Sequence, residues 1–432
     1  MKSVNENYYR LKEMCTKIGS GSTPKGGKSV YIEAGVSLIR SQNVYNMRFS
    51  YNGLAHISDE LAKKLKNVII KKDDLLLNIT GDSVARCCLV PDDIIPARVN
   101  QHVSIIRTKQ DMLNSRFLMY YLVSPFMQKY LIMLAQGKGA SRSAITKDMI
   151  EKLTIPVVDI NIQTIIVNYL EVYDKLIKNN NERIKILEQM VEELFKEWFV
   201  RFRYDIKIES FKNSSLGKIP ESFDIIKMKD AIDYYIGGGW GNDSFSEEFP
   251  VKGFVIRGAD FPKVEKGDIS STPLRFHKQS NYNARKLEAN DIVFEISGGT
   301  QKQPVGRSIL ITEELLDQFD NSAICASFCK LIRVNEQIIS PIYLYYWLQY
   351  MYETRMIDQF QLQSTGIINF KFEYFLRKGL ILLPPKELME LFEKQVVLMK
   401  KQIDELAIAN SNLIKQRDLL LPRLMSGKLE VK

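Results

Sequence analysis

The stretch Leu75-Leu76-Leu77-Asn78-Ile79-Thr80-Gly81-Asp82 returns 217 residues later as Ile292-Val293-Phe294-Glu295-Ile296-Ser297-Gly298-Gly299. Each copy is a short apolar run closed by a glycine, which reads as a strand entering a turn. At the same offset of 217, Ile39-Arg40 returns as Ile256-Arg257 and Leu11-Lys12-Glu13 as Met228-Lys229-Asp230. Ile18-Gly19-Ser20-Gly21 aligns with Ile236-Gly237-Gly238-Gly239, one residue further on. Beyond these the offset grows to 226, as an insertion requires: Ile106-Arg107 matches Ile332-Arg333, and Leu118-Met119-Tyr120-Tyr121-Leu122 matches Leu344-Tyr345-Tyr346-Trp347-Leu348. Self-similarity on this scale marks a duplicated structural unit. The chain therefore reads as two globular arms.

Within the arms the expectation is mixed. Val36–Arg40, Asp74–Thr80 and His102–Arg107 read as strands, and Ser115–Ala135 and Pro341–Phe360 as amphipathic helices. A long helix follows each arm. With Leu170 as heptad position a, the a series is Leu170, Ile177, Ile184, Val191 and Trp198, and the d series is Tyr173, Asn180, Leu187 and Leu194. Shifted by 226, the second stripe holds Val396, Ile403, Asn410, Arg417 and Leu424 at a, and Met399, Leu406, Leu413 and Leu420 at d. This is coiled-coil periodicity. The helices could instead pack on their own arms or on other chains, but a narrow a/d stripe suits helix-to-helix contact better. In an antiparallel pair whose partners sum to 590, Ile177 faces Leu413, Ile184 faces Leu406, Leu187 faces Ile403, and Asn180 meets Asn410. The segment Asn168–Val200 would span about 50 Å. The fold class expected is α+β, with the first arm at 1–155, its helix at 156–203, a linker at 204–222, the second arm at 223–383 and its helix at 384–432.

The chain has 432 residues, enough for two or three domains. Sixty Lys and Arg against 51 Asp and Glu give a net charge of +9, which favours a polyanionic partner. Five cysteines, an odd number, do not suit a secreted disulfide framework, and Cys325 and Cys329 lack zinc-knuckle spacing. Buried free thiols are expected. Met1 to Arg10 is not a signal peptide, and no stretch approaches the ~20 apolar residues of a membrane span, so the expected compartment is cytoplasmic.

Gly21-Ser22-Thr23-Pro24-Lys25-Gly26-Gly27-Lys28-Ser29 misses the phosphate-loop pattern by one residue, since Ser22 stands where glycine is needed. Asn/Asp-Pro-Pro-aromatic, the amino-methyltransferase tetrapeptide, is absent, because Pro384-Pro385 lies in Leu-Leu-Pro-Pro-Lys. Gly237-Gly238-Gly239-Trp240-Gly241 lacks dinucleotide-binding spacing. No pairing of the three histidines suggests a metal or nucleophile site. No catalytic and no metal residues are therefore assigned. Polar and basic residues do cluster at matching places in both arms. The first arm offers Ser20, Ser22, Thr23, Lys25, Lys28, Arg40-Ser41-Gln42-Asn43 and Arg98-Val99-Asn100-Gln101. The second offers Trp240, Asn242, Arg257, Ser297, Thr300-Gln301-Lys302-Gln303 and Arg307. Arg grips guanine's edge and Asn or Gln adenine's in the major groove. Ser, Thr and Lys usually hold phosphates.

These residues resemble the specificity subunits of type I restriction-modification systems over essentially the whole chain. Gly21-Ser22-Thr23-Pro24, Ile39-Arg40 and Val99-Asn100-Gln101-His102-Val103 follow that family's order of motifs. Ile256-Arg257-Gly258-Ala259-Asp260-Phe261 is similar to its Ile-Arg-x-x-Asp-aromatic pattern, and Leu216 to Phe223 to its central junction. Ile155-Pro156 through Gln163 and Leu383-Pro384-Pro385 resemble the approaches to its two helices. The resemblance implies two tandem target-recognition domains on an antiparallel coiled coil. It implies a subunit without catalysis that reads a bipartite, interrupted site in double-stranded DNA. It implies two methyltransferase subunits on the helices and restriction subunits that join them. S-adenosylmethionine and ATP with magnesium are expected in those partners, and no cofactor in this chain. A stand-alone methyltransferase or nuclease, or a scaffold that binds no DNA, is the alternative.

Overall fold

The computed structural model describes residues 7–137, 143–204, 210–299, 303–363 and 368–425. It is a mixed α/β structure that divides into two compact units, one of residues up to 175 with 413 onward, the other of 176–412. In the first unit a four-stranded antiparallel sheet runs in the order Cys15–Ser20, Val103–Thr108, Leu75–Asn78, Cys87–Leu89. A three-stranded sheet places Val36–Ile39 between Ala55–Ile57, antiparallel, and Ala97–Val99, parallel. In the second unit the order is Ile232–Gly237, Cys329–Val334, Ile292–Glu295, Ser308–Leu310. Its three-stranded sheet places Val251–Ile256 between Leu274–His277, antiparallel, and Ala323–Cys325, parallel. Strand order and direction are the same in both units.

The repeated stretch lies at the centre of each unit. Leu75 and Leu77 face one core and Leu76 the other, so all are buried. Successive strand residues point to opposite faces, and a strand covered on both sides reads as a continuous apolar run. Just before it, Asp74 receives Arg107 Nε and Nη2, both at 2.7 Å, and the Lys71 amide at 2.7 Å. The second unit repeats this: Asp291 receives Arg333 Nε and Nη2 at 2.9 Å and the Glu288 amide at 2.7 Å. Burial pushes the Asp291 carboxyl up, and the Arg333 guanidinium opposes that shift.

Strand register corrects the alignment of Ile18 with Ile236. Ile18 pairs with Ile106, whereas Ile332, the counterpart of Ile106, pairs with Tyr235. The offset of 217 therefore holds through this strand too, and Gly21 corresponds to Gly238. Other expectations shift as well. The segment Ser115–Ala135 is two helices, Ser115–Val123 and Pro125–Gln136, because Ser124 caps the second and Pro125 cannot continue the first. Pro341–Phe360 stops as an α-helix at Glu353, and Arg355 adopts a positive φ of 64° before a 3₁₀ turn. The linker contains a hairpin, Phe211–Ser214 with Gly217–Pro220, whose Ile219 is buried. Pro156, on the approach to the first long helix, lies in a strand paired to Asn7–Arg10.

The long helices are Ile160–Phe195, continued by a π turn to Val200, and Lys386–Met425. In the second unit Ile184, Ile403 and Ala407 form a buried cluster flanked by Leu187 and Leu406. Asn180 Nδ2 donates to Asn410 Oδ1 at 3.0 Å, and Asn410 Nδ2 to Asn181 Oδ1 at 3.2 Å. Val191 joins the second arm's core, and Leu194 packs against it. Leu420 packs on the first arm's core, while Ile177 and Leu413 are half-buried. Arg417, which interrupts the apolar stripe, is held by Asp174 at 2.8 Å and Asp418 at 2.9 Å within the first unit. The five cysteines are free; burial raises the Cys325 thiol to about 12. Among the described residues no helix is long and apolar enough to cross a membrane.

Candidate nucleic-acid interface

Four backbone hydrogen bonds gather the candidate loops of each arm, and all four are duplicated. Gly21 N donates to Val103 O at 3.0 Å, and Gly238 N to Cys329 O at 3.0 Å. Ser22 N donates to Val99 O at 3.1 Å, and Gly239 N to Cys325 O at 2.9 Å. Asn100 N reaches Ile39 O at 3.0 Å, and Ala326 N reaches Ile256 O at 2.9 Å. Ile79 N reaches His102 O at 3.0 Å, and Ile296 N reaches Phe328 O at 2.8 Å. The close approach requires glycine. A Cβ at Gly21 would lie 1.9 Å from Val99 O, and one at Gly238 2.2 Å from Ala326 O. Loops distant in sequence thus converge on one edge of each arm, as binding loops on a rigid scaffold do.

In the first arm Ser22, Lys25, Lys28, Gln42 and Gln101 are exposed and Thr23 is half-buried. Gln42 Nε2 donates to Gly53 O at 3.1 Å, and Gln101 Nε2 lies 3.4 Å from His102 Nε2. Arg40 donates to the Gly53 carbonyl, and its guanidinium sits 5.2 Å from the centre of the Tyr31 ring. Three sequence candidates face inward. Asn43 is fully buried; it accepts the Arg40 amide at 3.0 Å and donates to Ser50 O at 2.9 Å. Asn100 is buried and accepts the His102 amide at 3.1 Å. Arg98 is buried, with Nε on Ala62 O at 3.1 Å and Nη1 on Ala97 O at 3.0 Å. Their polar groups hold loops in shape, because a buried amide or guanidinium must find its partners inside the protein.

The second arm treats its arginines differently. Arg257 Nε and Nη2 donate to Asp260 at 2.8 and 2.9 Å, and Nη2 also donates to Ser271 O at 2.7 Å. Only Nη1 is left for a ligand, so the two-nitrogen grip on guanine expected from sequence is not offered in this geometry. Burial would raise the Asp260 carboxyl, but the Arg257 guanidinium and the Ser271 hydroxyl outweigh it and hold it below the ordinary range. Arg307 is committed more fully. Nε and Nη2 donate to Glu295 at 2.9 and 2.6 Å, and Nη2 to Gly258 O at 2.8 Å. The Gln303 amide, with its oxygen turned inward, accepts from Nη1 at 2.7 Å. Trp240 is 41% exposed and stacks on the Arg275 guanidinium, 4.7 Å from its ring centre. Asn242 is exposed and pairs its backbone with Phe276 at 2.8 and 2.9 Å. Thr300, Gln301 and Lys302 lie outside the described residues.

Sequence reasoning passed over Arg86. Asn78 N donates to Arg86 O at 2.8 Å as Glu295 N does to Arg307 O at 2.8 Å, so Arg86 is the first arm's counterpart of Arg307. Asn78 replaces Glu295, and Arg86 instead lies over the Tyr45 ring at 4.8 Å, as does Arg48. The offset at this point is 221, because the loop after the repeated strand differs in length, and that hides the match. Phe328, two-thirds exposed at the tip of its turn, was also passed over. Among the described residues no group of three or more His, Cys, Asp or Glu could hold a metal ion.

Each arm thus gathers arginines and aromatic side chains beside its converging loops. Residues 4–189 match the family model of the type I restriction modification DNA specificity domain. Over 89% of its length the chain is 22% identical to the type I restriction enzyme MjaVIII specificity subunit of Methanocaldococcus jannaschii, covering 87% of that protein. It is 23% identical to the HindI specificity subunit of Haemophilus influenzae, over 91% of this chain and 94% of that one. The fold is similar to the crystal structure of a type I restriction-modification S subunit from M. genitalium. The TM-score is 0.59 at 16% identity, with 98% of this chain and 97% of that one covered. The chain thus carries a match to a DNA specificity domain at residues 4–189 and resembles type I restriction enzyme specificity subunits along most of its length, which supports a DNA-recognition role.

Proposed function

We propose that the two arms are tandem target-recognition domains, each reading one half of a bipartite, interrupted DNA site, with the long helices paired as an antiparallel coiled coil that sets the interval between them. The observation that carries this reading is the duplicated set of loop-gathering hydrogen bonds, which gives one chain two equivalent reading platforms. The Asn180–Asn410 contact supports the helix pairing, since buried amides at stripe positions fix register. In the first arm, Lys25, Lys28, Arg40, Arg48 and Arg86 are the groups for phosphates and base edges, with Ser22, Thr23, Gln42 and Gln101 beside them. In the second, Trp240, Asn242, Arg257 and Phe328 take that part. Asn43, Asn100 and Arg307 support the loops. Two methyltransferase subunits dock on the helices and methylate adenine with S-adenosylmethionine, and restriction subunits using ATP and magnesium join them, in the cytoplasm.

The test is to map methylated adenines in cells with and without this chain, and with seven residues inserted near Asn180. The expected result is an interrupted motif that disappears without the chain, and that changes its interval or vanishes with the insertion. A contiguous motif, or an unchanged interval, would overturn the reading.

A further inference from the structure

The second arm has a feature that its matched loops do not require. Trp240, Arg257, Pro262, Ser327 and Phe328 line a cavity of about 750 Å³, within the size range of small-molecule pockets. Two of its walls are aromatic. Trp240 is steadied by Arg275, which Asp243 holds in turn. Phe328 is 66% exposed on a tight turn, its backbone pinned by Ile296 N at 2.8 Å. Glu295, Arg307 and Gln303 also line it but engage one another, and Ser297 donates to Asn369 Oδ1 at 2.6 Å, so the polar groups left for a guest are chiefly Arg257 Nη1, left over from the Asp260 pairing, and the exposed Ser327. The corresponding positions of the first arm are Thr23 and His102, and His102 is held by Thr80 at 2.7 Å.

An intact duplex is read by convex elements that enter its grooves. A concave, aromatic-walled cavity cannot enter a groove, so its guest must leave the stack, as bases do for proteins that hold them in pockets. Stacking on aromatic side chains replaces the stacking lost in the duplex, and every base has a face for it. We propose that the second arm's cavity receives one nucleobase turned out of its half-site, stacked on Trp240 and Phe328, with Arg257 Nη1 at its edge. Asp260 is the positioning residue that keeps Nη1 turned to the cavity. This rests on the DNA-reading function proposed above and adds a mode of reading confined to one arm.

The experiment uses the full chain without any methyltransferase, so that no other protein can extrude a base. Duplexes of the mapped target carry 2-aminopurine at each position in turn, and fluorescence reports unstacking on binding. The expected result is a severalfold rise at one position of the second half-site and none in the first. Phe328→Ala and Trp240→Ala should each abolish the rise and weaken binding about 10-fold, as loss of one stacked base would. Both side chains are at least 40% exposed, so these variants should keep the fold, checked by circular dichroism. Asp260→Asn should keep the rise but lose the preference for one base at that position. Specific binding without a rise anywhere in the second half-site overturns this inference and leaves the DNA-reading function standing. Absence of specific binding overturns both.

Discussion

The first arm and the second arm share strand order, loop-gathering hydrogen bonds and a buried Asp–Arg pair, yet they hold their half-buried loop arginines in opposite ways. In the second, Asp260 grips Arg257 and Glu295 grips Arg307. At the matched positions the first arm has amides, Asn43 and Asn78, which donate to backbone carbonyls and leave Arg40 and Arg86 resting on tyrosine rings. Two carboxylate-for-amide exchanges on one frame thus separate a platform with free cations from one whose cations are neutralised around an aromatic cavity. The lesson is that a repeated backbone arrangement can be held constant while the charge pairing of its loop side chains diverges.

The frame itself gives the largest expected effects. Asp74→Ala leaves Arg107 uncompensated and should cost about 3 kcal/mol in urea denaturation, whereas Asp291→Ala should cost about 2, because Arg333 keeps Glu288 at 3.2 Å and more solvent. Equal costs would mean the two pairs are interchangeable. Arg307→Ala should likewise lower stability by about 2 kcal/mol, since Glu295 is left buried and unpaired. Arg86→Ala should leave stability unchanged and flatten the salt dependence of DNA binding by about one unit of slope if it holds a phosphate. A destabilising Arg86→Ala with an unchanged slope would erase the contrast between the arms.

Exchanging the capping residues sharpens it further. Asn43→Asp sets a carboxylate against the carbonyls of Ser50 and Asn52 and should destabilise the first arm by about 2 kcal/mol, while Asp260→Asn should cost about 1. The pH behaviour follows the same exchange. Asp260 has its carboxyl held below the ordinary range, so its stabilisation is present above the unfolded value and is lost as pH falls through the folded one. The second arm should therefore weaken below about pH 4, and Asp260→Asn should remove that contribution. The smallest effect is expected in the helices. Replacing Asn180 and Asn410 together by Leu should change stability by less than about 1 kcal/mol while permitting other registers, detectable by crosslinking.

Much of the architecture was legible in one dimension. Leu75–Asn78 and Ile292–Glu295 announce themselves because a strand buried on both faces must be apolar throughout. The slip by one residue at Ile18 shows the limit of such matching. Glycines in a row look alike, and only the pairing of Ile18 with Ile106 fixes which strand residue faces which. Ser124-Pro125 carries a readable break that apolar periodicity alone conceals. Asn43 and Gln42 are neighbours of similar chemistry, yet one is fully buried and the other exposed, a difference set by the turn that encloses them.

Taken by itself, the amino-acid order determined the duplication, the strand cores and the apolar stripes of the long helices, because burial repeats with the geometry of each element and writes that period into the chain. Arg257 finds Asp260 only three residues on, but tertiary structure alone decided that Arg307 is neutralised. A guanidinium is neutralised by whichever carboxylate the fold brings to it, and Glu295 reaches Arg307 at the end of two paired antiparallel strands. Proximity of that kind comes from strand pairing, which no local pattern of residue types encodes.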